Sequence, residues 1–444
     1  MNSETGYRRI WQIAVPIIIG SVAQNLLNVI DTIFLGQLGE VALGAGAIGG
    51  LLHLAAVMVA YGFTIGTQIV VARRFGQKKY GSIGITLTHS FYFLTVLVLL
   101  LFWILWQMAP TILGAMIHSP RIMEASIEFL SWRKWGLFFV TISLIFQAFY
   151  IGIGKTRIIS VANSLAVVTN IVLDYGLIFG NLGLPKMGIP GAALASVIAE
   201  LVGCLFYVIY TMITVDSVKY NLFAFTRYSS NFFKPLLRIS LPTMFQNLLS
   251  FSSWLLFFLF VEGMGERVLA ASNIVRSLYV LLLIPVWGIA SATSSLTSFL
   301  IGRGRKEEVM GLVWRAEVLS LLSVLVVLLI TGFFARDLLS LYSKDISLIE
   351  YTLPVLFVVA IAGPVLSIGF IAFNAVAGTG KTNVTFILET ADLGLYVLLG
   401  YLFASVFHLS ISAVWTVEIF YGLFMAMAAL LYLRFGNWRN AAHF

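Results

Sequence analysis

Residues 152–156 read GIGKT and residues 378–382 read GTGKT. Each ends like a phosphate-binding loop, so the pair marks either two nucleotide sites or one duplicated segment. A phosphate loop follows G-x-x-x-x-G-K-[ST], which places a glycine five positions before the glycine that precedes the lysine. Phe149 stands there in the first copy and Ala375 in the second. Both copies lie between long apolar runs, and neither follows a strand. The nucleotide reading fails, and the spacing becomes informative. Lys155 and Lys381 are 226 residues apart. The same offset carries Pro16 onto Pro242, Gly39 onto Gly265, Glu40 onto Glu266, Ala45 onto Ala271, Gly62 onto Gly288 and Thr67 onto Thr293. It holds without a gap through the fifth apolar segment. Beyond that the connection shortens by about five residues, so that PGAALAS (190–196) aligns with ISAVWT (411–416). A fixed period of this kind is the signature of an internal duplication.

The repeated unit is a membrane unit. The chain is 60% hydrophobic and only 10% charged, with a mean hydropathy of +0.98. A soluble domain carries about a quarter charged residues. Runs such as SFYFLTVLVLLLFWILWQM (90–108) reach the ~20 residues needed to cross about 30 Å of hydrocarbon. Twelve helical spans are expected, near 11–37, 43–72, 83–107, 124–150, 157–180, 189–214, 237–262, 268–300, 312–334, 347–376, 384–407 and 410–433. The fold class is thus an all-α polytopic membrane protein of two six-helix repeats. Six is even, so both halves enter from the same side and form parallel repeats. The expected organisation is an N-lobe at 1–214, a cytoplasmic linker at 215–236 and a C-lobe at 237–444. The first apolar segment follows Tyr7-Arg8-Arg9 directly and lacks a small-residue cleavage site, so it is expected to remain as a span.

The net charge of +8 is topological and does not point to nucleic acid. Nineteen Lys and Arg residues fall on the N-terminus, the even-numbered connections and the C-terminus, against five on the odd-numbered connections. Basic residues are retained on the cytoplasmic side. Both termini are therefore expected to be cytoplasmic. The single cysteine, Cys204, excludes a disulfide framework. The histidines at 53, 89, 118, 408 and 443 show no ligand spacing, so no transition-metal site is expected.

Chemistry is sought where the copies differ. Asp31 maps onto Phe257 and Asp174 maps onto Gly400. Both aspartates fall well inside apolar spans, where an ionised carboxylate is costly and a functional role is the default reading. Gln24, Asn28 and Asp31 are spaced i, i+4, i+7, and Asn170 and Asp174 are spaced i, i+4, so each set shares a helix face. Carboxylates and amides are hard oxygen donors, suited to a proton or a small cation. The bland alternative is a polar knot holding helices together. Pro16 removes a backbone bond and can bend the first span. Glu200, Glu389, Asp392 and Glu418 lie in later spans, and Glu389 maps onto Asn163. They are read either as lining a cavity or as pairing with Arg276. Arg133 and Lys134 are expected to pair with Glu124 or Glu128.

Taken together, AQNLLNVIDTIFLGQLGEVALGA (23–45), NIVLDYGLIFG (170–180), KMGIPGAALAS (186–196), LPTMFQNLL (241–249) and the two GKT loops resemble the multidrug and toxic compound extrusion (MATE) transporters over nearly the whole chain. The resemblance implies two lobes in a V shape and cation-driven export of organic compounds. It is nearest to the DinF-like branch, which implies that Asp31, Asn170 and Asp174 hold the coupling cation. Ser196 would then stand for a sixth-span hydroxyl, where that branch usually has Thr. It also implies that Gln24 and a fourth-span amide, Gln147, line the path, and that Pro16 bends the first span. The NorM-like branch places acids in the seventh and tenth spans. Here NLLSFSSWLLFF (247–258) and LFVVAIAGPVLSIGFIAFN (356–374) carry none.

The sequence thus reads as a secondary antiporter of the bacterial inner membrane, acting as a monomer. It exports organic, amphipathic cations against H⁺ or Na⁺ by rocking of two lobes. Coupling falls to Asp31, Asn170, Asp174 and Ser196, and substrate contacts to Gln24, Asn28, Gln147, Asn163, Glu389 and Asp392. No cofactor, enzymatic activity, nucleotide or nucleic-acid partner is expected, and the only other partner is membrane lipid. A lipid-linked oligosaccharide flippase would need a strongly cationic cavity, and Arg276 is essentially the sole central basic residue. A membrane enzyme would need acidic or histidine motifs in interfacial loops, and none is visible. A mere scaffold leaves the unduplicated aspartates unexplained.

Overall fold

The computed structural model describes residues 5–117 and 119–439; His118 and His443 lie outside the described residues. Among these residues, eleven helices are long and apolar enough to cross a bilayer. The pair Pro120–Arg133 and Gly136–Gly152, bent by 50°, completes a twelfth crossing. In chain order the spans are Tyr7–Leu38, Glu40–Gly76, Gly81–Gln107, this bent pair, Arg157–Phe179 and Ile189–Thr214, then Ser230–Glu262, Glu266–Gly302, Lys306–Phe333, Ile346–Gly378, Thr382–Val406 and Ile411–Phe435. They follow the expected segments within a few residues at most ends. The seventh begins earlier, at Ser230, and takes up the end of the stretch read as a linker. A short helix, Ser217–Tyr220, capped by the Asp216 carboxylate, occupies part of the rest.

Lipid exposure is written on the third span. Val96, Leu99, Leu100, Trp103 and Trp106 are between 51% and 68% exposed, whereas Leu94 and Val98 are buried. A stripe of large apolar side chains turned outward is stable only against hydrocarbon.

The duplication is visible in the backbone. The second and eighth spans run Glu40–Gly76 and Glu266–Gly302, and short helices at Ala109–Met116 and Ala335–Tyr342 precede the fourth and tenth. All four bounds repeat at the offset of 226 read between Lys155 and Lys381. The GKT loops share their role too. Gly154 and Gly380 adopt φ of 70° and 84°, a left-handed conformation that favours glycine and ends a helix. In the first copy Lys155 N–H donates to Tyr150 O at 2.9 Å and Gly154 N–H to Ile151 O at 3.0 Å. The preceding glycines permit contact with a neighbour: a side chain at Gly152 would strike Val71, and one at Gly378 would strike the Ser294 carbonyl.

The fourth span breaks where the α-helical ladder gives way. Trp135 and Leu137 donate to Trp132 and Lys134, three residues back, each at 3.2 Å. Gly136 follows, and any side chain there would collide with Glu200 and Arg133.

Two compact units emerge from the contacts: Ile19–Ser240, and Met1–Ile18 with Leu241–Phe444. The divisions fall inside the first and seventh spans, two residues after Pro16 and one before Pro242. In the second unit the N-terminal segment is tied by Arg315, whose Nε donates to Thr5 O at 2.8 Å. That unit's core joins Ile10, Ile13 and Ala14 to Val286, Ile289 and Ala290.

Candidate functional site

The first unit holds a polar cluster in an otherwise apolar bundle. Asn170 and Asp174 lie one turn apart on the fifth span, and both are fully buried. The sixth span runs close alongside, because Gly191 leaves no side chain between it and the Leu177 carbonyl. This sets Ser196 beside Asn170. Asp31, half-buried, reaches the pair from the first span.

The hydrogen-bond inventory fixes how the Asn170 amide must face. With its NH₂ toward the acids, it donates to Asp31 Oδ1 at 2.8 Å and to Asp174 Oδ2 at 3.1 Å, while its carbonyl accepts from Ser196 N–H at 3.1 Å. Ser196 Oγ donates to Ala192 O at 3.2 Å. The Asp31 and Asp174 carboxyls lie within hydrogen-bonding reach of each other. Asp174 Oδ1 is buried without a protein partner. Two carboxyls at this separation are mutually repulsive when both are ionised, so the arrangement favours a proton or a small cation between them. Asp31 and Asp174 offer the oxygens that would hold one, while Ser196 lies on the carbonyl side of the Asn170 amide.

The other expected residues are dispersed. Gln24 and Asn28 are exposed on the first span. A Cβ placed on Gly20 would sit 2.8 Å from Asn163 Nδ2, so Asn163 lies against that span. Gln147 is half-buried on the fourth span beside Tyr207. Pro16 is buried within a first helix that runs unbroken from Tyr7 to Leu38. Glu389 and Asp392 are buried in the other unit, 4% and 1% exposed.

Two pairings differ from expectation. Arg133 does not meet Glu124 or Glu128. Its guanidinium forks onto Glu200, donating to Oε2 at 2.8 Å and to Oε1 at 2.5 Å. The break in the fourth span turns Arg133 inward, and Gly136 makes room for the pair. Lys134 lies over Phe102 and Trp106, at 5.2 Å and 5.3 Å. His53 Nε2 lies 3.9 Å from Glu200 Oε1. Arg276, the other partner considered for the acids, stacks over Trp254 and Phe258 at 5.5 Å and 5.3 Å. In the sequence, Glu200 stands four residues after Ser196, on the same helix face, which was the one available hint.

Among the described residues, no group of three or more His, Cys, Asp or Glu is arranged to hold a metal ion.

The sequence model of the MatE family matches residues 16–176 and again 242–402. Both bounds are displaced by the repeat offset of 226. A Thermotoga maritima protein described as "Probable multidrug resistance protein NorM" is 27% identical over 440 residues, covering 97% of this chain and 93% of its own length. A Synechocystis protein of the same description is 26% identical over 285 residues, covering 63% of this chain and 61% of its own length. Among solved structures, a Pyrococcus furiosus transporter of the MOP superfamily superposes with a TM-score of 0.87 at 22% identity, covering 96% of this chain and 95% of that one. The Vibrio cholerae MATE transporter VcmN gives 0.88 at 19% identity, covering 98% of each. These likenesses establish the shared fold. With both repeats matched, the chain belongs to the MatE family of multi-pass membrane transporters, which are not enzymes.

Proposed function

We propose that the protein is a secondary antiporter that expels organic, amphipathic cations in exchange for H⁺ or Na⁺ bound at Asp31, Asn170 and Asp174. The observation that carries this reading is the Asn170 amide bridging carboxylates from two different spans. Such a bridge is sensitive to charge. With a cation or proton present, the carboxyls tolerate each other's approach; without it, they repel across Asn170. Occupancy thereby biases the first span relative to the fifth and sixth, and the first span carries Gln24 and Asn28 toward substrate. Gln147 and Asn163 extend that surface. Ser196 steadies the Asn170 carbonyl through its backbone N–H. The sequence matches to the DinF-like pattern at Asp31, Asn170 and Asp174 support this assignment, and the descriptions of the curated relatives support multidrug export.

The two six-helix halves, 1–214 and 237–444, would alternate access by rocking of one half against the other. The protein would work as a monomer in the bacterial inner membrane, with both termini cytoplasmic. Each charge moved inward gains about 2.3 kcal/mol per 100 mV, which is the source of drive.

Everted membrane vesicles test the reading. Dye accumulation is measured with a pH gradient alone, then with a Na⁺ gradient alone. Accumulation under one gradient, lost in Asp31→Asn at matched expression, is expected. Equal accumulation with both gradients collapsed would overturn antiport.

A further inference from the structure

We infer that the C-terminal unit carries a proton-binding site of its own, in which Asp392 takes up a proton beside Glu389 and Glu418. The three acids lie in the apolar core of that unit, on the eleventh and twelfth spans, and are 1%, 4% and 4% exposed. Glu389 and Asp392 are three residues apart, so they share a helix face.

Their hydrogen-bond partners differ in a telling way. Glu418 is satisfied at both oxygens: Oε2 accepts from the Tyr279 hydroxyl at 2.7 Å and Oε1 from the Tyr396 hydroxyl at 2.9 Å. Glu389 is satisfied at one. Its Oε1 accepts from Ser250 Oγ at 2.8 Å and from the Tyr421 hydroxyl at 3.0 Å, while Oε2 is buried without a partner. Asp392 is satisfied at neither: both oxygens are buried and accept nothing. The hydrogen-bond partners of the cluster are thus phenols and a serine hydroxyl, and the charged neighbours of Asp392 are Glu389 and Glu418. Ser250 comes from the seventh span, Tyr279 from the eighth, Tyr396 from the eleventh, and Glu418 and Tyr421 from the twelfth. Arg276, on the eighth span, is engaged with Trp254 and Phe258.

An ionised carboxylate buried with no donor is among the costliest arrangements a protein can hold, and the usual resolution is neutralisation. A proton accomplishes it economically. Placed on Asp392, it converts one of two orphan acceptors into a donor one turn from Glu389, whose Oε2 is the third orphan of the cluster. A metal cation fits less well. It needs several converging oxygens, yet three of the four oxygens on Glu389 and Glu418 already accept from phenols or serine. The site also differs from a duplicate of the first. The repeat partners of Asp31, Asn170 and Asp174 are Phe257, Tyr396 and Gly400, whereas Glu389 matches Asn163, two turns before Asn170. That this proton moves during transport rests on the antiport reading; that it binds does not.

Infrared difference spectroscopy of the full-length protein in liposomes, stepped through pH, tests the assignment through the carbonyl stretch of a neutral carboxylic acid. Asp392→Asn should remove one such band. The Asp31→Asn/Asp174→Asn double variant should keep it, and raising Na⁺ at constant pH should not displace it. A spectrum unchanged in Asp392→Asn, or a band displaced by Na⁺, would overturn the proposal. Should Asp392→Asn fail to fold, Glu389→Gln serves instead, since the pH midpoint of the remaining band must shift when its neighbour loses charge. An unmoved midpoint counts against the site. Dye efflux measured in parallel reports separately on antiport, because loss of efflux in Asp31→Asn is independent of the Asp392 band.

Discussion

One backbone, used twice, supports opposite interiors at corresponding places. In the first repeat Asp31, Asn170 and Asp174 form a hydrogen-bonded polar cluster. In the second, the same three positions are Phe257, Tyr396 and Gly400. There the Phe257 ring packs 5.6 Å from Tyr396 and 5.5 Å from Trp415, and a Cβ on Gly400 would touch Phe257 at 3.7 Å. The helix bounds repeat, and so do the glycines that end or cross helices. What the duplication preserved is the scaffold; what diverged is the pair of interiors. The comparison teaches that chemistry in this chain must be sought where the copies disagree.

The largest effect should come from removing charge in the polar copy. Asp31→Asn keeps the volume and deletes the ionisable group. Gradient-driven dye efflux is expected to fall to the level of vesicles lacking the protein, with insertion unchanged. Asp174→Asn should disable transport to the same extent. The double variant should be little worse than either, since residues acting as one unit are not additive. Efflux that survives in one single variant would show that the carboxyls do not act together.

Next comes the reciprocal change in the aromatic copy. Phe257 is 1% exposed, and Phe257→Asp places a carboxylate where neither Tyr396 nor Gly400 supplies the amide that Asn170 provides. An uncompensated buried charge costs about 3–5 kcal/mol. A lowered thermal midpoint is expected, with no new cation dependence of efflux. Phe257→Ala should cost a similar ~3–5 kcal/mol through the cavity it leaves, while the gradient still drives the remaining efflux. If Phe257→Asp proved neutral and added a second coupled cation, the two interiors would be interchangeable.

These contrasts also show what the sequence reveals and what it hides. The twelve spans were legible because each is an apolar run of the length a bilayer demands. Asp31 and Asp174 were legible because a charge in such a run is conspicuous. That Asn170 joins them was partly legible from its i, i+4 spacing. The bridge itself was not, since it depends on how close Gly191 lets the sixth span approach. The Arg133–Glu200 pair was hidden for another reason. Arg133 looked like the outer end of a continuous helix, and only the 50° break at residues 134–135 turns it inward. The phenols of Tyr279, Tyr396 and Tyr421 are ordinary aromatics in apolar runs, with nothing in their spacing to mark them, yet their hydroxyls donate to two buried glutamates. Nor does hydropathy signal that the contact units divide within the first and seventh spans.

A smaller effect is expected at that break. Arg133 and Glu200 are partly accessible, at 14% and 20% of their side chains. Glu200→Gln should therefore cost less than severing a fully buried pair, about 1.5–3 kcal/mol, the range for a charged hydrogen bond. Gly136→Ala should reproduce the loss without touching either charge, because the added methyl occupies the space of the pair. Differential scanning fluorimetry in detergent checks both. A destabilised Glu200→Gln beside an unaffected Gly136→Ala would mean that the pair relaxes around the methyl group.

The smallest effect should fall where the copies agree most visibly, in the GKT loops. Lys155 is exposed, and its backbone N–H, which any residue supplies, closes the turn on Tyr150 O. Lys155→Ala and Lys381→Ala should each leave efflux near that of the parent, and neither parent nor variant should bind ATP. The glycine beside the lysine matters more than the lysine. Gly154 holds φ at 70°, a conformation that costs an ordinary residue roughly 1–2 kcal/mol. Gly154→Ala should therefore lower the thermal midpoint while Lys155→Ala does not. Equilibrium dialysis with labelled ATP, run beside the unfolding measurement, separates the possibilities. ATP retention by the parent that disappears in Lys155→Ala would make the loop a nucleotide site. A midpoint that falls only in Gly154→Ala identifies it as a helix stop, duplicated along with the scaffold.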